Sequence, residues 1–146
     1  MITARLVASL FGTGFLRPAP GTWGSLLVLP LAWLGWEACL ALSFLLFLVG
    51  VWAVKASKAE EDPNWVVIDE GSGMLLALSV GAAHATVFFV LVAFAFFRVA
   101  DILKPWPVSW ADRKKGAFWV MFDDVLAGAL AAAALLLLSH MGFFSR

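Results

Sequence analysis

Two adjacent carboxylates, Asp123 and Asp124, stand in the segment VMFDDVLAGALAAAALLLLSH, at the mouth of a stretch that carries no charge from Val125 to Ser145. Carboxylates are costly to dehydrate, and two side by side repel each other, so acids at such a place need a cation. A second acidic pair, Asp69 and Glu70, follows Val66, Val67 and Ile68 and precedes the uncharged GSGM. In FRVADILKPWP, Arg98, Asp101 and Lys104 recur every three residues and share one face if the segment is helical. Arg113, Lys114 and Lys115 follow in ADRKKG.

Each group has an ordinary structural explanation. Acids favour helix N-termini, spaced charges form local salt bridges, and a basic triplet sets membrane topology. The acids of EED at 60–62 read as a solvated loop. Taken together, acids at 69, 70, 101, 123 and 124 with cations at 17, 98, 104 and 113 form a pattern those explanations leave incomplete. Oxygen ligands suit a hard cation such as Mg²⁺, because Cys39 is the only cysteine and His84 and His140 are isolated. Mg²⁺ would polarise a phosphoryl oxygen and activate water, while Arg and Lys neutralise developing charge. The stretch GTGFLRPAPGTWGS, with four glycines, Arg17 and Thr22 as a candidate N-cap, is either an anion-binding helix start or an ordinary Pro/Gly loop. These residues describe phosphoryl transfer. Other phosphatase chemistries lack their residues: there is no Cys-x5-Arg loop, no Asp-x-Asp-x-Thr and no phosphohistidine setting, nor the spaced Asp series of a CDP-alcohol phosphotransferase.

The elements that must position these groups are apolar. Of 146 residues, 63% are hydrophobic, and mean hydropathy is +0.95, far above a soluble domain. The apolar residues come in runs, which predicts an all-α integral membrane bundle with short or re-entrant helices and a polar site at the interface. Eighteen of the 20 charged residues fall in three blocks, Arg5 with Arg17, Lys55 to Glu70 and Arg98 to Asp124, so charge and lipid are segregated along the chain. Net charge is zero, and no basic field points to nucleic acid.

One domain is expected over residues 1–146. Its parts are an interfacial segment 1–21, a helical hairpin 22–54 turning near Gly35 to Glu37, a polar loop 55–70, an apolar run 71–97, a polar loop 98–124 and a transmembrane helix 125–141. Pro30 shortens or kinks the first arm of the hairpin. Residues 71–97 allow either one tilted span or two short helices breaking near Gly81 to His84. Basic residues in every block favour a common, cytoplasmic face for all three. Ile2, Leu6 and Leu10 are spaced as one face of a short helix on the membrane surface, and the lack of a small-residue cleavage site before Arg17 argues that it is kept rather than removed as a signal peptide. Seven tryptophans, among them Trp23, Trp36, Trp52 and Trp119, sit near run ends or in polar blocks, as headgroup anchors do.

In order along residues 12–128, GTGFLRPAPGTWGS, DPNWVVIDEGSG, FFRVADILKPWP and DDVLAG resemble the phosphatidylglycerophosphatase A family. Members are bacterial inner-membrane enzymes that hydrolyse phosphatidylglycerophosphate to phosphatidylglycerol and phosphate with Mg²⁺. The resemblance implies acidic positions at Asp69, Glu70, Asp101, Asp123 and Asp124, basic positions at Arg98, Lys104 and Arg113, and a turn at Pro20, Gly21 and Thr22. Joined to the residue reading, it assigns metal to Asp69, Glu70, Asp123 and Asp124, Asp101 as ligand or general base, and substrate phosphate to Arg17, Thr22, Arg98, Lys104 and Arg113. Where the family tends to have a Gly-Gly-x-Gly-like stretch, this chain has KGAFWVMFDD, with Gly116 alone.

Two readings from other classes compete. An ion-coupled carrier would bind cations at the same acids, although carriers usually place their sites near the midplane. A non-catalytic assembly subunit would pair its acids and bases between chains. The oligomeric state is open.

Overall fold

The structure, a computed structural model, describes residues 1–81 and 85–145, and every regular element among them is helical. In chain order these are α1 (Ile2–Ala8), a 3₁₀ turn (Thr13–Phe15), α2 (Pro20–Val28), a 3₁₀ segment (Leu29–Leu34), α3 (Trp36–Ala56), α4 (Ile68–Leu78), α5 (Val87–Leu103), α6 (Val108–Asp112) and α7 (Ala117–His140). The all-helical expectation is met.

Local sequence sets the boundaries. Pro20 occupies the first turn of α2, where a missing N–H costs nothing, and Pro30 turns the chain from α-helix to 3₁₀. Gly35, at φ 103°, reverses it into α3, so the turn falls at a residue without a Cβ. Thr86 caps α5 by accepting the Phe89 N–H at 3.1 Å. Lys104 ends α5 in the left-handed region, followed by Pro105.

At 1.5 Å per residue, α3 and α7 are about 31 and 36 Å long, enough to cross a hydrocarbon core of about 30 Å, and both are apolar enough to do so. The 11 residues of α4 reach only about 16 Å. Residues 71–97 therefore fold as a hairpin of two unequal helices. Gly73 faces Phe97 and Gly81 faces Phe89, which makes α4 and α5 antiparallel. Residues 82–84, with His84, lie outside the described residues.

Ser43 and Ser72 donate reciprocally to each other's backbone carbonyls at 2.7 and 2.9 Å and lock α3 to α4. Gly73 and Gly128 bring α4 and α7 into backbone contact: a Cβ on Gly73 would collide with the Asp124 carbonyl oxygen, and one on Gly128 with the Gly73 carbonyl oxygen. Small residues let the two helix backbones approach this closely. The end of α3, the start of α4, the end of α5 and the start of α7 consequently meet at one pole. The N-terminal segment joins them there, with Val67 N–H donating to Ala8 at 3.0 Å and the Arg5 guanidinium over the Phe15 and Trp65 rings.

Several boundaries differ from the sequence reading: α2 begins at Pro20 rather than at 22, and α4 begins at Ile68, inside the polar loop expected over 55–70. α5 continues through Arg98 to Leu103 and α7 begins at Ala117, so the segment between the long helices is 104–116 and itself contains α6. A chain leaving lipid keeps its backbone hydrogen bonds by staying helical, whatever its side chains. Leu10 does not extend the exposed face of Ile2 and Leu6. It lies beyond α1 at φ 47° and is buried beneath the loop.

Candidate active site

All five acidic positions singled out in the sequence sit at the polar pole, but not as one set. Asp69 and Glu70 occupy the first turn of α4, and Asp124 meets them from α7, with one ligand oxygen of each within 4.8 Å of the others. Asp69 and Asp124 are buried. Asp123 turns instead toward Asp62 and Asp112, a second group of equal compactness. The four-residue set Asp69, Glu70, Asp123 and Asp124 is thus divided, because adjacent helical residues point about 100° apart.

The helix limits remove one structural explanation. Asp123 and Asp124 lie in the second turn of α7, which has no acid in its first turn, so they do not cap it. Gly116, at φ 118°, opens that helix, and a single glycine makes the turn for which the family pattern uses several. Thr22 is not a cap either: Ala19 holds that position in α2, and Thr22 lies within the first turn.

The cations are positioned by the same acids. Arg98 Nη1 donates to Asp101 Oδ2, one turn along α5. Lys104 does not stay on that face. Its left-handed backbone swings the ammonium away from α5, to 3.1 Å from Asp112 Oδ1 and 3.3 Å from Asp123 Oδ2. Partial burial alone would lower the pKa of Lys104, but Asp123, Asp124 and Asp112 outweigh it and hold the pKa above the ordinary lysine value.

Arg98 also faces a pocket of about 300 Å³ whose walls include Pro20, Gly21, Asn64 and Glu70. The first backbone bond of α2 runs from Trp23 N–H to Ala19, which leaves the Gly21 and Thr22 amides free at the helix N-terminus. A Cβ on Gly21 would lie 2.7 Å from Glu70 Oε1 and 3.1 Å from Arg98 Nη1. Glu70 therefore belongs to both the inner acidic group and this anion-suited pocket. Arg113 lines a separate polar pocket of about 250 Å³ with Asp112, Asp123 and Trp119. Arg17 is exposed and faces an adjoining cleft with Arg5, Asn64 and Trp65, away from the carboxylates.

Charge and hydrogen bonding test whether a cation fits. Asp69 Oδ1, Glu70 Oε2 and Asp123 Oδ1 are buried without a hydrogen-bond partner, as is Arg98 Nε. Unpartnered buried carboxylate oxygens are costly, and no Lys or Arg salt bridge reaches Asp69, Glu70 or Asp124 among the described residues. Opposed Mg²⁺ ligands stand about 4.2 Å apart at ordinary bond lengths, and the oxygens of the inner group, all within 4.8 Å of one another, can close around such an ion. The inner group fits a hard divalent cation. The outer group of Asp62, Asp112 and Asp123 already has Lys104.

Asp62 and Asp112 carried no signal of this role. Asp62 ends an acidic run that reads as a solvated loop, and Asp112, before a basic triplet, is not singled out by the sequence. Their place in the outer group comes from the 57–67 loop and the end of α6 coming together over the pole.

Fold and site define an all-helical protein, two of whose helices are long and apolar enough to cross a membrane, with a polar pole that sets a buried carboxylate group beside a free helix N-terminus. Residues 6–139 match the family described as Phosphatidylglycerophosphatase A, and the chain belongs to that family. It is 38% identical over 135 residues to the Phosphatidylglycerophosphatase A of Haemophilus influenzae, covering 86% of this chain and 82% of the relative. The Escherichia coli protein of the same name is 32% identical over 143 residues, or 92% of this chain and 83% of the relative. A Bacteroides thetaiotaomicron protein, provisionally named a phosphatidylinositol-3-phosphatase, is 41% identical over 138 residues, covering 84% and 85%. No solved structure matches the chain.

Proposed function

We propose that this protein is a Mg²⁺-dependent phosphomonoesterase that hydrolyses phosphatidylglycerophosphate to phosphatidylglycerol and phosphate during phospholipid synthesis. The observation that carries the reading is the position of Glu70, which joins a cation-suited carboxylate group to a pocket closed by Arg98 and a free helix N-terminus. A metal-dependent phosphomonoesterase uses both at once: a Lewis acid on one oxygen and donors on the others.

Asp69, Glu70 and Asp124 would hold Mg²⁺, which supplies charge neutralisation at the phosphoryl group. Arg98 and the Gly21 and Thr22 amides donate to the remaining phosphate oxygens. Asp101 is engaged by Arg98 and acts as the residue that positions it. Asp123 keeps Oδ1 free beside the Lys104 contact on Oδ2 and can take a proton from the attacking water. As the new P–O bond forms, the ester P–O bond breaks and the diacylglycerol-bearing alkoxide leaves as an alcohol by taking up a proton. Lys104 and Arg113 keep the rim of the site cationic.

The two spanning-length helices and the family support a bacterial inner-membrane, multi-pass placement. All basic residues except Arg146 lie in the three polar blocks of the sequence, which supports a cytoplasmic face for the acidic pole. The carrier reading is disfavoured by a site at helix ends rather than mid-bundle.

The name of the Bacteroides relative directs the test at headgroup as well as chemistry. Purified protein in mixed micelles is offered phosphatidylglycerophosphate or phosphatidylinositol 3-phosphate, with Mg²⁺ or excess chelator. Metal-dependent phosphate release that favours the first lipid is the expected result. Preference for the inositol lipid would reassign the substrate, and release from neither would remove the enzyme reading.

Gly21→Ala separates phosphate positioning from folding. Its Cβ intrudes between Glu70 and Arg98, while Ala suits a helix start as well as Gly does. Turnover is expected to fall by up to about 10²-fold, the cost of misplacing reacting groups by an ångström. The thermal unfolding profile should stay that of the parent.

A further inference from the structure

Beyond the polar pole, α3, α4 and α7 enclose an apolar groove of about 300 Å³ lined by Leu40, Phe44, Leu76, Phe118, Phe122 and Val125. We propose that this groove seats one acyl chain of the phospholipid whose phosphate is held at the pole, an inference that rests on the function proposed above.

The first argument is continuity. Phe118 and Phe122 wall the groove, whereas Trp119 walls the polar pocket that holds Asp112, Arg113 and Asp123. The three rings form one cluster, with Phe118 to Trp119 at 5.1 Å, Trp119 to Phe122 at 5.8 Å and Phe118 to Phe122 at 5.2 Å. A single aromatic ridge therefore divides a charged cavity from an apolar one. A molecule that lies across such a ridge has a charged head and a hydrocarbon tail, and on the charged side stands Asp123, next in the chain to Asp124 of the inner acidic group.

The second argument is the floor. Ser43 and Ser72 line the groove, but each hydroxyl spends its one proton on the other helix's backbone carbonyl, so neither has a donor left for the groove. The third is the mouth. Phe44 is 64% exposed and Leu40 44%, both on α3, a helix long and apolar enough to cross the membrane. The groove thus opens to hydrocarbon, where the molecules at hand are lipid chains. Because lipid tails are as apolar as the groove, occupancy supplies register rather than hydrophobic affinity. It fixes where along the bundle the headgroup phosphate comes to rest.

The test uses the full chain in detergent micelles with two substrates, long-chain phosphatidylglycerophosphate and its water-soluble deacylated headgroup ester. Leu76→Trp fills the groove, and Leu40→Trp at the exposed rim serves if the first variant does not fold. We expect kcat/KM on the lipid to fall about tenfold through lost positioning while the soluble ester is turned over within about twofold of the parent rate. In parallel, phosphatidylglycerophosphate with a diazirine near the end of one acyl chain should crosslink to Phe44 and Phe122, and Leu76→Trp should abolish that labelling. Equal losses on both substrates, labelling spread evenly over the exposed faces of α3, α5 and α7, or crosslinks joining two copies of the chain through the groove would each overturn the proposal. If the parent releases phosphate from neither substrate, the enzyme reading fails by itself. The labelling pattern then decides the groove: focused label sustains it as a lipid seat, and dispersed label removes it.

Discussion

Asp124→Asn should lower phosphate release by about 10³-fold, the several kcal/mol that a Lewis-acid ion supplies at 1.36 kcal/mol per decade. The same change should raise the thermal stability of the protein in chelator. Asp124 is 2% exposed and stands against Asp69 and Glu70, with Asp101 and Asp123 also near. Without a cation, that crowd is a burden on the fold, and the amide relieves part of it while keeping the side chain's shape. With Mg²⁺ the order reverses. A site filled at 100 times its dissociation constant adds about 2.7 kcal/mol to the parent, and the variant should lose most of that gain. Thermal unfolding with and without Mg²⁺, beside a phosphate-release assay, reads all three effects. Full activity in Asp124→Asn would remove the inner acidic group from the reaction. Lower stability in chelator would mean that the carboxylate has a structural partner instead of a metal.

The residues behind that prediction were legible because lipid makes charge conspicuous. In a chain whose apolar runs exceed 20 residues, acids at 69, 70, 101, 123 and 124 have few ordinary reasons to be there. The division into inner and outer groups was not legible, since it depends on the rotation of α7 against α4, which two contacts at Gly73 and Gly128 determine. Lys104 illustrates a second limit. Its spacing from Arg98 and Asp101 predicts a shared helical face, yet the left-handed residue before Pro105 sends it to Asp112 and Asp123. Asp62, in a loop, and Asp112, at the end of the short α6, illustrate a third, because such acids gain a role only through the fold that brings them together. The run 71–97 stayed ambiguous between one span and two helices because its length suits either. What resolves it is the antiparallel seat of Phe89 and Phe97 on Gly81 and Gly73.

That same seat makes Gly73→Ala a damaging substitution at the α4–α7 contact. Alanine normally improves a helix by about 1 kcal/mol over glycine. At Gly73 the added Cβ meets the Asp124 carbonyl oxygen and lies 2.7 Å from Phe97 Cε2. Backbone cannot rotate aside as a side chain can, so α4 and α7 must separate, and overpacking of this kind costs about 1–3 kcal/mol. The displacement acts directly on the site, because α4 carries Asp69 and Glu70 while α7 carries Asp124. A shift of about an ångström between them should lower turnover on the order of 10²-fold. Gly71→Ala, two residues earlier on the same helix, is the matched control: its nearest neighbours would be the side-chain ends of Leu10, Leu46 and Val28, at 3.0, 3.4 and 3.6 Å, with no backbone among them. Unfolding in detergent and phosphate release should therefore change sharply for Gly73→Ala and little for Gly71→Ala. Equal behaviour of the two variants would mean that the α4–α7 contact does not set the spacing of the carboxylates.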